Sequence, residues 1–371
     1  MMRICLLRAG LSRTTNGSGF VLGNPKGWLG TAYHEVLNRI AEVGLSQETC
    51  DAAIDRLWKQ AIATQQERAS AHVLDRRFGP AETWPGYYVA RSSVTLRAQE
   101  LCARLAGHVV QTPKHFPSAS AGSCIRETEL RAYGGKLVGR PDVIRAGEIV
   151  DYKTGAILEY NEAVETAVVK AAYVRQLRIY GLLVRETLGW WPSRGVLLPL
   201  AGTGVQVVLE PEECVREAME AVALLDLYNG KLLAGAAAEE LAAPLPANCQ
   251  FCPYKLLCRP FWYTVSSVWS GQIDGVAIEG PLTSAPGLIY GGVARSISLD
   301  IQAGSETPRR AQIGPLNPLV HDVVNTLAAG DRVRLIGLRA RADRVLAPTP
   351  RTVLARESDL PVVAVRGAGV H

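Results

Sequence analysis

The segment from 139 to 155, GRPDVIRAGEIVDYKTG, places two acids and a lysine close together. If LVGRPDVI and EIVDYK are strands joined by a turn at RAG, Asp151 and Lys153 share one face, and Asp142 can meet them across the hairpin. Converging carboxylates repel each other unless a cation lies between them, and such hard oxygen ligands suit Mg²⁺ or Mn²⁺. An ammonium group beside the metal can orient water and stabilise charge developing on phosphorus. The segment therefore predicts phosphodiester hydrolysis, and a solvated surface Asp–Lys pair is the alternative for the tripeptide alone.

Helical and extended patterns alternate around this hairpin. In GTAYHEVLNRIAEVG the apolar residues recur at three-to-four spacing, which predicts an amphipathic helix over 30–44. Short alternating runs with glycines predict strands within 127–153 and 194–209. Further helices are predicted at 47–72, 93–107, 157–189 and 211–227. The mixture predicts an α/β fold.

Composition limits the class of protein. The chain has 371 residues, 48% of them hydrophobic and 20% charged, which indicates a globular protein of two domains. After residue 263 the sequence becomes rich in Gly and Val, with short strand-like runs, so we predict domains at 1–263 and 264–371. A net charge of +5 permits a nucleic-acid partner. No apolar run is long enough to span a membrane, and we expect a cytoplasmic protein. The sequence lacks a Walker motif, so it gives no indication of an ATP-driven motor.

The segment from 139 to 155 resembles the PD-(D/E)XK nucleases, and within them the RecB-like family. The motif consists of GRPD, a short predicted strand and then DYKTG. The resemblance implies a restriction-endonuclease-like core, in which helices flank a mixed sheet. It also implies that Asp142 and Asp151 bind the metal and that Lys153 is catalytic. The family often has a glutamate on the preceding strand, for which RETEL offers both Glu127 and Glu129.

Two further motifs follow the order of the same family. GTAYHEVL contains Gly30 and His34, and the resemblance implies that His34 helps to bind the metal. YVRQLRIYGLL contains Gln176 and Tyr180, which match the family's Q-x-x-x-Y motif and are assigned to the catalytic site. Because residues four apart share a helix face, both can point towards the site or the bound strand.

Three cysteines cluster as C-x2-C-x5-C at Cys249, Cys252 and Cys258. Three thiolates need a fourth ligand for zinc or a [4Fe–4S] cluster. Iron–sulfur members of the family, such as AddB and the CRISPR-adaptation nucleases, place one cysteine before the histidine helix. The resemblance therefore implies Cys5 as the fourth ligand of a [4Fe–4S] cluster, although Leu6 follows it where the family often has proline. Zinc is the alternative.

The other cysteines lack partners at ligand spacing. We predict that Cys50, Cys102, Cys124 and Cys214 are buried free thiols and that the chain has no disulfide framework.

The last hundred residues resemble an OB-fold, a small β-barrel that binds single strands through basic grooves and aromatic platforms. Arg339 and Arg341, two apart on one predicted strand, are the expected nucleic-acid contacts, and Trp269 and Tyr290 are candidate stacking residues. They belong to a larger group of arginines at 332, 334, 339, 341, 344 and 351. A barrel that docks another protein is the alternative.

Together these features predict an Mg²⁺- or Mn²⁺-dependent DNA nuclease. We expect an exonuclease that acts on single-stranded ends in repair, recombination or defence. DNA is the expected partner, single-stranded DNA is preferred, and a helicase in another chain is a further candidate partner. The alternatives are a non-catalytic DNA-binding module with a nuclease fold and a structural subunit of a helicase–nuclease complex.

Overall fold

The computed structural model describes residues 5–11, 21–43, 47–105, 125–145, 147–161, 165–200, 202–342 and 344–361. The chain divides into two compact units. The central unit comprises Asn24–Arg68 and Pro80–Leu225, and the terminal unit comprises Met1–Gly23, Ala69–Gly79 and Asp226–His371. The cysteine segment and the C-terminal strands thus belong to the same unit, while the domain boundary after residue 263 stays a prediction.

The described helices are α1 (Leu6–Leu11), α2 (Pro25–Val43), α3 (Gln47–Ala71), α4 (Tyr87–Leu105), α5 (Ala171–Leu188), α6 (Pro211–Leu233), α7 (Ala238–Leu241), α8 (Pro246–Cys249) and α9 (Arg259–Thr264). Within the described ranges, none is both long and apolar enough to cross a membrane.

The strands of the central unit are β1 (Ile125–Arg126), β2 (Leu130–Ala132), β3 (Leu137–Gly139), β4 (Val143–Arg145), β5 (Glu148–Lys153), β6 (Leu158–Asn161), β7 (Thr166–Val169), β8 (Arg194–Pro199) and β9 (Val205–Val208). A mixed sheet has the order β1-β4-β5-β8-β9, in which only β5 and β8 are parallel. Helix α5 lies between these two strands in the chain, and its Leu177 and Leu183 are buried in one core with Ile149 and Leu197. The predicted α/β class is confirmed.

Two predicted elements were wrong in detail. The run LVGRPDVI is not one strand, because it divides into β3, which pairs with β2, and β4, which pairs with β5. Pro141 lies at the division, and proline has no N–H to continue a ladder. The described residues at 157–161 and 165–170 are not helical. They contain the antiparallel hairpin of β6 and β7, in which Leu158 pairs with Val169, and the helix begins only at Ala171.

The terminal unit contains β10 (Val276–Pro281), β11 (Gly287–Ile289), β12 (Ala294–Asp300), β13 (Ala303–Gly304), β14 (Arg310–Leu316), β15 (Arg332–Ala342), β16 (Val345–Ala347) and β17 (Val353–Arg356). Their order is β11-β12-β14-β16-β15-β10-β13, with β17 also paired to β15. Among the pairings of these strands that the structure describes, only that of β14 with β16 is parallel. No closed barrel is found among the described residues, but an isolated antiparallel bridge joins Leu282, just after β10, to Leu299 in β12.

Fewer arginines of these strands are available to a ligand than the sequence count predicts. Arg332 and Arg334 both pair with Glu279 and Glu357, and the side chain of Arg334 is only 8% exposed. Arg351 likewise pairs with Asp274 at 2.7 Å. These three arginines are held by carboxylates, so a count from sequence overstates the charge offered to a ligand.

The two expected stacking residues differ in solvent exposure. Trp269 is 7% exposed and packs in the core, with its ring centroid 6.0 Å from that of Phe261. It is therefore unable to stack on a base, which corrects the expectation. Tyr290 is 73% exposed.

The prediction for the isolated cysteines was wrong at two of four positions. Cys50 on α3 and Cys102 on α4 form a disulfide, with Cα atoms 6.6 Å apart. The bond joins two helices 52 residues apart in sequence, so no local spacing indicates it. Cys214 is a buried free thiol, as predicted, and Cys124 lies outside the described residues.

Candidate active site

The acids of the predicted hairpin meet at one end of the central sheet. Asp142 precedes β4, and its Oδ2 accepts a hydrogen bond of 2.5 Å from the backbone N–H of Tyr152 in β5. Asp151 and Lys153 are ion-paired on one face of β5. Tyr152 between them packs against the separate apolar cluster of Val143, Val150 and Val196. The alternation of β5 therefore directs the acid and the lysine together.

Helix α2 brings a histidine to the first acid. His34 Nδ1 lies 3.1 Å from Asp142 Oδ1. Ligand atoms of His34, Glu127 and Asp142 all lie within 4.8 Å of one another, and within the described residues this is the group that could hold a metal ion. Octahedral Mg²⁺ binds oxygen at about 2.0–2.1 Å, which places ligand atoms roughly 3 to 4 Å apart, so the arrangement fits a small divalent cation.

The structure also separates the two candidate glutamates. Glu127 belongs to this group, and its Oε1 accepts a hydrogen bond of 2.8 Å from Asn38 Nδ2. Glu129 instead pairs with Arg131 at 2.6 Å. Glu127 has a φ of +45°, a bend at the end of β1 that aims its side chain without any periodic signal. Asn38 was not predicted, although it lies one helical turn after His34.

Asp151 stands apart from this three-residue group. Its buried Oδ2 is the atom in ion-pair contact with Lys153 Nζ. Asp151 is 4% exposed and Asp142 is 7% exposed. An ionised carboxylate has about four lone-pair positions on its two oxygens, so one ammonium contact leaves positions that could bind a cation.

Lys153 is held by a chain of hydrogen bonds from α5. Its Nζ donates to Gln176 Oε1 at 2.8 Å, and Gln176 Nε2 donates to Tyr180 Oη at 3.0 Å. Tyr180 in turn donates to the carbonyl of Arg140 at 3.4 Å. The ring of Tyr173, which sequence reasoning missed, lies 4.8 Å from Lys153 Nζ. The Q-x-x-x-Y residues thus contact the lysine.

The electrostatics follow from burial and crowding. Burial raises the pKa of Asp151, and the nearby Asp142 raises it further, while Lys153 opposes the shift. Burial also raises the pKa of Glu127, where Asp142 acts in the same direction and the hydrogen bond from Asn38 opposes it. Burial alone lowers the pKa of His34, but its hydrogen bond with Asp142 and the surrounding carboxylates outweigh burial and raise it. Crowded acids that resist ionisation favour an added cation.

One glycine explains how α2 can approach the sheet. A Cβ added at Gly30 would lie 2.7 Å from Thr154 Oγ1, directly after Lys153. Glycine leaves room for this contact, whereas a Cβ would force Thr154 or the helix to move. Gly30 lies one turn before His34, so the close approach sets the depth at which the histidine meets Asp142.

The cysteine cluster, defined as Cys5, Cys249, Cys252 and Cys258, lies in the terminal unit and consists of free thiols. Burial raises the pKa of Cys249 to about 11 and that of Cys258 to about 12, and in both cases the neighbouring thiols raise it further. Three members also pack on one apolar cluster with Leu241 and Tyr254. Residues more than 230 positions apart in sequence are thus brought close together.

The fold and the site together define a protein of the nuclease type. A family model for the PD-(D/E)XK nuclease superfamily matches residues 5–259, and the chain belongs to this superfamily. No curated protein and no solved structure matched the chain. Superfamily members are generally phosphodiesterases that use divalent metals, which agrees with the group at His34, Glu127 and Asp142.

Proposed function

We propose that the protein is a divalent-metal-dependent DNA nuclease, of the RecB-like type within its superfamily. One observation carries the proposal: the metal-capable group of His34, Glu127 and Asp142 lies beside the ion pair of Asp151 and Lys153. A structural ion pair would not need three further ligand atoms within 4.8 Å of one another.

The residues divide the work between binding and positioning. His34, Glu127 and Asp142 would hold Mg²⁺ or Mn²⁺, with Asp151 as a further ligand. A metal held there would supply Lewis acidity and make water in the site more acidic. The ammonium of Lys153 has three N–H donors. Two contacts occupy it, Asp151 and Gln176, which leaves one donor for the attacking water or a phosphate oxygen.

Gln176 and Tyr180 act through this lysine. Their hydrogen bonds fix the direction of the Lys153 side chain, which otherwise has several rotatable bonds. Burial raises the pKa of Tyr180 to about 12, so the phenol stays protonated and keeps donating to the carbonyl of Arg140. They are therefore positioning residues in this mechanism.

We propose that the C-terminal strands capture single-stranded DNA, which would account for a preference for single-stranded ends. We propose an OB-like barrel closed in the order β10-β12-β14-β16-β15-β10. The parallel pairing of β14 with β16 and the bridge from Leu282 to Leu299 support this order. Arg339 and Arg341 are exposed and have no ion pair among the described residues. A bulge in the pairing between Ala340 and Ala342 interrupts strict alternation there. Docking of another protein remains the competing use of this surface.

We further propose that the cysteine cluster binds a [4Fe–4S] centre. Four thiolates around one zinc would lie about 3.8 Å apart, given a Zn–S bond of about 2.3 Å. No three of these thiols, all of them described residues, come within 4.8 Å of one another. The wider spacing favours a larger centre, and zinc remains the alternative that metal analysis would identify.

The test is cleavage of labelled single- and double-stranded DNA with Mg²⁺, Mn²⁺ or chelator. Asp151→Ala and Lys153→Ala should each lose at least ~100-fold in rate, because each removes a group that acts on the transition state. Asp55→Ala and Lys59→Ala are matched controls, since they remove an exposed acid–lysine pair on α3. Near wild-type cleavage by either site variant would contradict the assignment.

The same assay separates the alternatives. A wild-type protein that binds DNA without cutting it would favour the non-catalytic module. A protein that does neither alone would favour a structural subunit of a helicase–nuclease complex. Cleavage of free ends but not of covalently closed circles would support an exonuclease. The proposed roles in repair, recombination or defence, in the cytoplasm, rest on this activity.

A further inference from the structure

Two cations lie beside the cysteine cluster without a carboxylate partner. Lys255 is 5% exposed, and its Nζ donates to the backbone carbonyl of Gln250 at 2.8 Å. Among the described residues, no carboxylate lies within ion-pair distance of it. Asp274 acts on Lys255 at longer range but is already paired with Arg351. A buried ammonium whose only close partner is a neutral carbonyl is costly.

Arg8 on α1 repeats the pattern. Its Nε is buried and has no hydrogen-bond partner among the described residues. Its positive charge acts on Cys252, just as Lys255 interacts with Cys252 and Cys249. Both cations therefore interact electrostatically with the same group of thiols.

Neutral thiols do not balance these charges. All four cysteines of the cluster are free thiols in the structure, and a thiol carries no net charge. Metal-bound cysteines are thiolates, and four of them carry more negative charge than the metal centre neutralises. A bound centre would thus supply the missing counter-charge.

We propose that Lys255, assisted by Arg8, supplies the positive charge that balances an anionic metal–thiolate centre held by the cysteine cluster. This inference rests on the proposed metal centre but not on nuclease activity. It assigns Lys255 an electrostatic positioning role beyond that of a cap on the last carbonyls of α8. Positive charge near the centre stabilises its more negative, reduced state and strengthens the retention of metal.

The test compares protein purified without oxygen in wild-type form and as Lys255→Met, Lys255→Arg and Lys231→Met. Lys231, in the last turn of α6, is only partly buried and controls for the loss of one positive charge. The readouts are iron and zinc content, the midpoint potential from a redox titration followed by electron paramagnetic resonance, and the rate of metal release to a chelator.

Lys255→Met should shift the reduced-to-oxidised ratio at least tenfold towards the oxidised form, which is about 59 mV for one electron. It should also release metal at least several-fold faster. Lys255→Arg should stay near wild type, as should Lys231→Met. If Lys255→Met does not fold, Arg8→Met provides the same test, with a smaller shift in the same direction. For a zinc centre, the release rate alone decides.

The outcomes are distinguishable. A metal-free wild-type protein overturns both the proposed centre and this inference. A metal-bound protein in which Lys255→Met matches Lys231→Met overturns only the role of Lys255. Equal effects of Lys255→Met and Lys255→Arg would show that shape, rather than charge, matters and would overturn it as well.

Discussion

Substitution of Gly30 by alanine tests whether the contact between α2 and the end of β5 sets the site. The added Cβ would lie 2.7 Å from Thr154 Oγ1, against 3.4 Å where ordinary contact begins, so one side must move by about 0.7 Å. Overpacking of this kind costs about 1–3 kcal/mol. Alanine also gains roughly 1 kcal/mol of helix propensity over glycine, so the comparison needs a control on the same helix.

Gly27 is that control, because the nearest atom to a Cβ added there lies 4.0 Å away. Gly27→Ala should be slightly more stable than wild type. Gly30→Ala should be about 1–3 kcal/mol less stable than Gly27→Ala in chemical denaturation. A displacement approaching 1 Å at a catalytic group costs up to ~100-fold in rate, so cleavage should fall at least ~10-fold. Mn²⁺ affinity, measured by calorimetry, should fall with it because His34 moves away from Asp142.

The double variant with Thr154→Ala decides the cause. Removing Oγ1 relieves the 2.7 Å contact, so the pair should recover most of the lost stability and rate. Full activity and stability in Gly30→Ala, or a double variant no better than the single one, would refute the claim that this contact sets the depth of His34.

Three other predictions concern stability and binding. Replacing Cys50 and Cys102 by serine should lower the free energy of unfolding by about 4 kcal/mol, the loop-closure entropy for a separation of 52 residues. Burial lowers the pKa of His321 to about 4, so stability should be full above pH 6.5 and fall by about 3 kcal/mol as the pH drops through 4. His321→Phe should remove that dependence in acid titrations. Replacing Arg339 and Arg341 by glutamine should weaken single-strand binding and flatten the salt slope by up to ~1.4.

Each of these predictions has a contradicting result. If an alkylating reagent modified both Cys50 and Cys102 in unreduced protein, the two cysteines would not be disulfide-bonded, and the predicted loss of stability would have no basis. An unchanged acid titration in His321→Phe would assign the acid sensitivity to other groups. Identical DNA affinities and salt slopes after loss of both arginines would take that surface out of the DNA path, while cleavage at saturating DNA should persist in any case.

The site contacts that depend on local backbone geometry could be predicted from the sequence. Asp151 and Lys153 are two apart on a strand, and Gln176 and Tyr180 are four apart on a helix, so chain periodicity alone puts each pair on one face. The mutual positions of Asp142 and β5 followed from a short hairpin. These contacts span few residues, and backbone geometry determines them.

Features that depend on tertiary packing were not accessible in this way. Glu127 was indistinguishable from Glu129, because a bend with φ of +45° rather than strand alternation aims it. The disulfide joins separate helices, and its cysteines have no ligand-like spacing. The hairpin at 158–169 was mistaken for helix because short apolar runs fit either period. The arginines of β15 looked available because their carboxylate partners lie on other elements.

The discontinuous composition of the terminal unit has a consequence for biosynthesis. Helix α1 packs with Leu241 and Tyr254, and Cys5 Sγ lies 4.0 Å from the carbonyl of Leu241, 236 residues further along the chain. At about 5–20 residues per second, a ribosome needs roughly 10 to 50 s to deliver those partners. Throughout that interval Leu7 and Leu11 of α1 lack the partners that bury them in the folded unit, and the central unit emerges first. Helix α1 is therefore translated well before its packing partners and is among the last elements to be folded, so it is the segment that a chaperone would be expected to hold.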